Sequence, residues 1–181
     1  MDYLTQPTSR KELRAMAPFF RELFGLEEAS CVPVLSVLER LPDVFRGCCY
    51  EVVEDNALPA DTPARCKVID EDSFQIQIKE SVYDGAYRKG TGVYRKGIGA
   101  YRGFILHEIV HVFLYKIGFK PVFTRSFEKS QMPAYFSVEW QTKALTGEIM
   151  MPYEETRGMR VEVIMEEYGV SKGFALYRQS Y

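Results

Sequence analysis

Residues 102–117 read RGFILHEIVHVFLYKI, and this stretch decides which fold the rest of the chain must build. The apolar run that extends to Phe119 is too short for a membrane span, and its histidines, glutamate and lysine make it too polar for one. Such a run is instead typical of a core helix that carries chemistry. We predict this helix over residues 102–117, with Gly118 placed to end it.

Two histidines in this stretch have the spacing of metal ligands. Residues four apart lie on the same face of a helix, so His107 and His111 can both offer an imidazole nitrogen to one zinc ion. Glu108 is then the candidate general base, which takes a proton from a water molecule that the metal activates. The alternative is a pair of core histidines with backbone partners. That alternative must explain a carboxylate among apolar neighbours, where an unpaired charge is costly.

A catalytic zinc ion needs a third protein ligand and one open position. The chain has only two histidines, both in this motif, so the third ligand must be Glu, Asp or Cys. We favour Glu139, which follows His111 by 28 residues near the start of a predicted helix with apolar neighbours. An exposed helical carboxylate is the alternative for this residue. Other glutamates in more polar surroundings are weaker candidates: Glu128, Glu148 and Glu154.

Composition bounds the class of protein. A chain of 181 residues with 46% apolar and 27% charged residues fits one domain, residues 1–181, with a sizeable core. A net charge of −2 gives no general attraction to nucleic acid or anionic membranes. The N-terminus lacks the pattern of a signal peptide, and the cysteines form no C-x-x-C pair, which together predict a cytoplasmic protein with reduced thiols. The cysteines are Cys31, Cys48, Cys49 and Cys66.

The first half of the chain combines helices with short strands. Residues 9–41 are predicted to form helices, beginning with a capping box at Ser9 and Glu12 and with a kink or restart at Pro18. Residues 47–80 are predicted to form a small antiparallel sheet of about three strands, over residues 48–53, 65–69 and 74–79. The last of these alternates apolar and polar residues. If it borders the cleft, a substrate would pair along it beside Ile76 and Ile78.

Residues 81–101 are predicted to form a basic loop. Tyr-Arg-Lys-Gly or Tyr-Arg-Gly units recur every seven residues from Tyr87, and glycines separate them. A solvated loop is one interpretation. The other is a flap beside the active site, in which Arg95 and Arg102 contact an acidic or nucleic-acid-bound partner. The metal-site helices follow over residues 102–151, and a C-terminal helix pair occupies about residues 156–178.

The motif and its surroundings resemble the ImmA/IrrE family of metallopeptidases. The similarity rests on Arg102 ahead of the HExxH motif, on Glu139 thirteen residues before Pro152, and on the segment after Ile164. It spans about residues 102–178. The resemblance implies one zinc ion on His107, His111 and Glu139, with Glu108 as the base. It further implies a helix-turn-helix repressor or similar regulatory protein as the substrate, and a zincin-like α+β fold with the sheet packed on the HExxH helix.

Two positions depart from the family pattern. Val110 replaces the usual glycine, a small change in packing. Thr142-Lys143 replaces the usual Ala-Asn, and lysine cannot accept the hydrogen bond with which asparagine could orient a metal-bound histidine. Either another residue must therefore donate or accept the hydrogen bond that orients the metal-bound histidine, or metal affinity and activity are reduced. Candidate donors to the oxyanion are Tyr135, Tyr153 and Arg160.

Three functions follow as hypotheses. The favoured one is a zinc-dependent endopeptidase that acts on one or a few proteins. Lys143 supports a rival, a weak or inactive metal-binding module that binds a repressor without cleaving it. A third hypothesis makes the C-terminal helix pair a DNA-binding helix-turn-helix. The acidic character of its first helix argues against direct nucleic-acid binding, and no membrane partner is expected.

Overall fold

The computed structural model describes residues 2–87, 98–121 and 132–180. These residues form an α+β fold in which helices pack on one face of a small three-stranded sheet and the other face is exposed. No helix in these three ranges has both the length and the apolar character needed to cross a lipid bilayer.

Three helices precede the sheet: α1 (Arg10–Leu23), α2 (Val34–Glu39) and α3 (Leu41–Val44). The predicted capping box is present, because the Ser9 side chain accepts from the Glu12 backbone and the Glu12 side chain accepts from Ser9. Helix α1 continues through Pro18 without a restart. Helices α2 and α3 meet at Arg40, so the helical region extends past the predicted residue 41, and Pro42 lies in the first turn of α3, where its missing N–H costs little.

The sheet contains β1 (Cys48–Val53), β2 (Ala64–Val68) and β3 (Phe74–Lys79), in the order β1-β3-β2. The strands lie within one residue of their predicted positions. The prediction that all of them are antiparallel is wrong, because the sheet is mixed. Strand β3 pairs with β1 in parallel, with Cys48 opposite Phe74, and with β2 in antiparallel register, with Cys66 opposite Ile76. Strands β1 and β2 are consecutive in the chain but are not neighbours in the sheet, because β3 lies between them.

The second half is helical: α4 (Glu80–Tyr87), α5 (Ile98–Lys116), α6 (Val138–Met150), α7 (Tyr153–Thr156), α8 (Val161–Tyr168) and α9 (Lys172–Gln179). Helix α4 replaces the first part of the predicted basic loop, and α5 begins before the expected residue 102. The repeat units within residues 88–97 lie outside the described residues. The helix expected from residue 156 is interrupted, because Gly158 has a φ of 79° and so leaves the helical conformation.

Helix α5 lies at the centre of the core. It packs against α2, α4, α6, β2 and β3, so it is covered on several sides. This explains why its apolar residues form no single stripe. Those that are at most 3% exposed are Ile105, Leu106, Ile109, Val110, Val112, Phe113 and Leu114. The polar residues of the motif occupy the remaining face, which is directed toward α6 and β2.

Candidate metal centre

His107 and His111 point their rings at each other from successive turns of α5. Their Nε2 atoms are 3.1 Å apart and their ring centroids 4.7 Å apart. This arrangement follows from the four-residue spacing, which places both side chains on one helix face. Both residues are partly exposed, while the neighbouring Leu106 and Val110 are fully buried. The apolar residues thus anchor the helix and leave the two imidazoles directed into a cleft.

The third group is Glu139, from the first turn of α6. Its Oε2 atom lies 3.2 Å from His107 Nε2 and its Oε1 atom 3.4 Å from His111 Nε2. One ligand atom from each of the three residues lies within 4.8 Å of the others. The imidazoles of His107 and then His111, which lie beside the Glu139 carboxyl, hold its pKa well below its usual range. A cation bound at this centre would stabilise the same ionised carboxylate.

The start of α6 holds Glu139 in place. Ser137 is the N-cap of the helix, and its hydroxyl oxygen accepts from the backbone N–H of Trp140 at 2.9 Å. The Asp2 carboxylate lies against the same turn: it accepts from the Ser137 hydroxyl at 2.7 Å and from the Glu139 backbone N–H at 3.2 Å. Negative charge at a helix N-terminus is favourable. An N-terminal residue therefore positions the glutamate of the centre.

Thr142 holds the other side of His111. Its side chain is fully buried, and its hydroxyl donates to the Val138 carbonyl at 2.8 Å. The same oxygen lies 3.1 Å from His111 Nδ1. A hydroxyl carries a single hydrogen, so His111 must be the donor in this second bond. We therefore assign the proton of neutral His111 to Nδ1, which leaves the lone pair of Nε2 directed toward His107 and Glu139.

Glu108 lies beside the three groups and, like the two histidines, is partly exposed. Its Oε2 atom accepts a 2.7 Å hydrogen bond from the backbone N–H of Cys66 in β2. Burial raises the pKa of Glu108 to about 7, against the opposing effects of His107 and the Cys66 N–H. A carboxylate with this pKa can accept a proton near neutral pH, as a general base must.

Two cavities flank the centre. One, of about 620 Å³, is lined by Glu108, His111 and Glu139, by β2, and by Tyr3 and Thr5 of the N-terminal segment. The other, of about 580 Å³, lies on the side of His107 and is lined by residues of α5, α6 and α9. The centre is thus open on both sides to groups of the size of peptide side chains.

The prediction that a substrate pairs along residues 74–79 is wrong. Strand β3 is paired on both sides, and Ile76 and Ile78 are fully buried, so neither its backbone nor these side chains can meet a substrate. The strand beside the centre is β2, an edge strand whose Cys66 N–H points away from β3 toward Glu108. Arg102 donates to the backbone carbonyls of Val32 and Gly169, which ties α5 to its neighbours. Arg95 lies outside the described residues.

None of the three predicted oxyanion donors lines either cavity. Tyr135 is 48% exposed, and its ring packs on Phe136. The ring of Tyr153 lies under the guanidinium groups of Arg14 and Arg178, and Arg160 is the exposed N-cap of α8. The tyrosines that do line the cavities are Tyr3, Tyr115 and Tyr177.

The other glutamates considered as ligands lie elsewhere. Glu148 is buried between arginines, and exposed Glu154 pairs with Arg157 at 3.5 Å. Glu128 lies outside the described residues. Lys143 extends toward α9, where its Nζ atom lies 4.7 Å from the centre of the Tyr177 ring.

Asp2, Cys66 and Thr142 were not predicted as parts of the site. For Thr142 a signal lies in the resemblance alone, which predicts alanine where this chain has a residue that can hydrogen-bond. For the Cys66 backbone and for Asp2 the sequence holds no signal, since their positions depend on how distant segments pack.

Comparison with known proteins assigns no family. No protein-family model matches the chain, and no curated protein matches it significantly. The resemblance to ImmA/IrrE metallopeptidases accordingly stays a prediction, and the function must be argued from the geometry of the centre.

Proposed function

We propose that this chain is a zinc-dependent peptidase. The observation that carries the proposal is the convergence of His107, His111 and Glu139 within 4.8 Å, beside Glu108, whose pKa is raised to about 7. Two imidazole nitrogens and one carboxylate are a donor set of catalytic zinc sites, which keep one further position open. The cavities on both sides provide room for that open position.

The residues present fit a zinc ion. When His111 is neutral, its hydrogen bond to Thr142 leaves Nε2 unprotonated and oriented toward the centre. The carboxylate of Glu139 is already ionised at neutral pH, because its pKa is lowered. Zinc bound to these three residues would supply Lewis-acid activation of water and of a peptide carbonyl.

The remaining steps fall to residues of the chain. Glu108 is placed to accept the proton of an attacking water molecule and to return it to the leaving amine. Its bond to the Cys66 N–H holds the carboxylate against β2 and keeps it from turning away from the centre. Beyond Cys66, whose N–H is already held by Glu108, the outer edge of β2 can pair with an extended peptide, which would then pass beside Glu108.

A regulatory protein such as a helix-turn-helix repressor is the substrate that the sequence resemblance supports. The edge of β2 adds only that the cleaved segment is extended. A helix has no free backbone groups to offer such an edge, so cleavage is expected in a linker or an unfolded segment.

The first test is the metal content of the purified protein. We expect one zinc ion per chain in the wild type and a loss of stoichiometric zinc in Glu139→Ala. Glu154→Ala is the matched control, because it removes an exposed carboxylate of another helix. Absence of stoichiometric zinc from the wild type after reconstitution would refute the proposed centre.

The second test separates a peptidase from a module that binds without cleaving. Glu108→Gln removes the base but none of the three ligands. We expect this variant to keep its zinc and to lose cleavage of a co-expressed candidate repressor, followed by mass spectrometry of the fragments. Inactivation of the repressor that survives Glu108→Gln would favour the binding module.

A further inference from the structure

The cavity beside His107 has the character of a side-chain pocket. Three aromatic residues contribute to its wall: Phe104 from α5 and Phe174 and Tyr177 from α9. The last two rings are stacked, with an interplanar angle of 13°. Phe104 is 41% exposed, although an aromatic side chain of a core helix is usually covered. An apolar ligand would shield these rings from water.

Gly103 keeps this pocket open toward the metal centre. It precedes His107 by four residues, so the two share one face of α5. A Cβ atom added at Gly103 would meet nothing within 4 Å. Glycine inside a helix costs stability relative to alanine, so an open glycine at this position calls for another explanation. The absence of a side chain leaves a path between the pocket and His107.

Lys143 is the one cation among the described residues that line the pocket. It is exposed, and no carboxylate of the described residues forms an ion pair with it. Its Nζ atom lies 4.7 Å from the centre of the Tyr177 ring, a distance at which cation and ring attract each other. That contact holds the ammonium group at the pocket, where it would meet a negative charge on the ligand.

We propose that this pocket binds a large apolar side chain that has a carboxylate close to it. In the proposed peptidase, this selects substrates with an aromatic or large aliphatic residue next to the cleaved bond and an acidic group beside that residue. The role in specificity rests on the proposed function. The binding itself needs only the pocket and Lys143, and it can be tested without zinc.

The test compares 3-phenylpropionate with 3-phenylpropylamine, which carry the same ring and opposite charges. Binding of each to the metal-free protein is measured by ligand-observed NMR. We expect the acid to bind and the amine to bind more weakly. Lys143→Glu should weaken binding of the acid about tenfold, because attraction is replaced by repulsion, and should favour the amine. Lys11→Glu makes the same change of charge on the exposed face of α1 and should leave both affinities unchanged.

A second variant tests the shape of the pocket. Gly103→Leu places a side chain where the structure has open space, so the variant should fold and should exclude both compounds. Equal binding of acid and amine, no binding of either, or no effect of Lys143→Glu would overturn the inference. Because these measurements use metal-free protein, they remain decisive even if the zinc site fails its own test. Repeating them with zinc shows whether the acid binds the metal instead.

Discussion

At the scale of single residues, zinc binding by the proposed centre would depend on which nitrogen of His111 carries the proton. A histidine binds metal through an unprotonated nitrogen, and its other nitrogen usually donates to a partner that fixes the ring. Thr142 is that partner here, because its own hydrogen is committed to the Val138 carbonyl. In the proposed zinc site, Thr142 would therefore supply the orienting hydrogen bond that Lys143 cannot.

Thr142→Val should therefore weaken zinc binding about 10- to 100-fold, as loss of a ligand's hydrogen-bond partner does in other zinc sites. Thr142→Ser should retain most of the affinity. The measurement is a competition titration of the metal-free protein with a zinc-binding dye.

Thr146→Val is the control for this substitution. Thr146 lies one turn further along α6, is also buried, and also donates to a carbonyl four residues before it, at 2.7 Å. Its hydroxyl contacts no group of the centre. If both valine variants lose zinc affinity equally, the effect belongs to the stability of α6 and not to the orientation of His111.

The sequence predicts the residues of the motif better than their partners. His107, Glu108 and His111 can be interpreted from spacing alone, since a helix brings them together locally. Glu139 could be singled out only through its apolar surroundings and the family resemblance. The contact of Thr142 with His111 is formed between two helices, and no local pattern reports how α5 and α6 pack.

At the scale of elements, local patterns predict strands but not their order. Two of the three strand ranges were predicted without error, because alternation and β-branched residues are local signals. Pairing depends on where the chain crosses, which composition does not specify. The local pattern of β3 does not show that it is the central strand, and for that reason the predicted pairing of a substrate along β3 is wrong.

The first turn of α6 is another element-level feature, because Asp2 joins it to the N-terminal segment. The segment also pairs with this region through backbone bonds from Thr5 to Phe136 and from Val138 to Tyr3. A helix cap that is lost typically costs about 1 kcal/mol. Here the lost cap would loosen the turn that carries Glu139, so the free energy of unfolding and the zinc affinity should decrease together.

Asp2→Ala should lower the free energy of unfolding by about 1 kcal/mol and weaken zinc binding several-fold. Urea unfolding of the metal-free protein and a zinc competition titration measure the two effects separately. Asp84→Ala on α4 removes an exposed aspartate away from the centre and serves as the control. Unchanged zinc affinity in Asp2→Ala would show that Glu139 is held by the packing of α6 alone.

At the scale of the whole molecule, one buried carboxylate joins both ends of the chain to α6. Glu148 is 1% exposed and accepts from three guanidinium groups. Arg10 and Arg14 come from α1, and Arg178 comes from α9. Arg178 is itself 2% exposed and also donates to the Thr156 hydroxyl at 3.1 Å. Helix α6 carries Glu139, and α9 forms a wall of the pocket. This cluster therefore holds the helices around the candidate centre in place relative to one another.

Glu148→Gln should destabilise the protein by about 3 kcal/mol, because removing one partner of a buried ion pair leaves the other charges without compensation. We expect the low end of the range of about 3–5 kcal/mol for a broken buried ion pair. The reason is that the Arg14 side chain is 30% exposed and water can solvate it. Urea unfolding measures the loss. Glu154→Gln is the matched control, because its pair with Arg157 is exposed and should leave the unfolding midpoint unchanged. Folded Glu148→Gln should still bind one zinc ion, since Glu148 lies outside the centre. A loss of zinc without a loss of stability would instead place Glu148 among the ligands and contradict the arrangement of the centre described above.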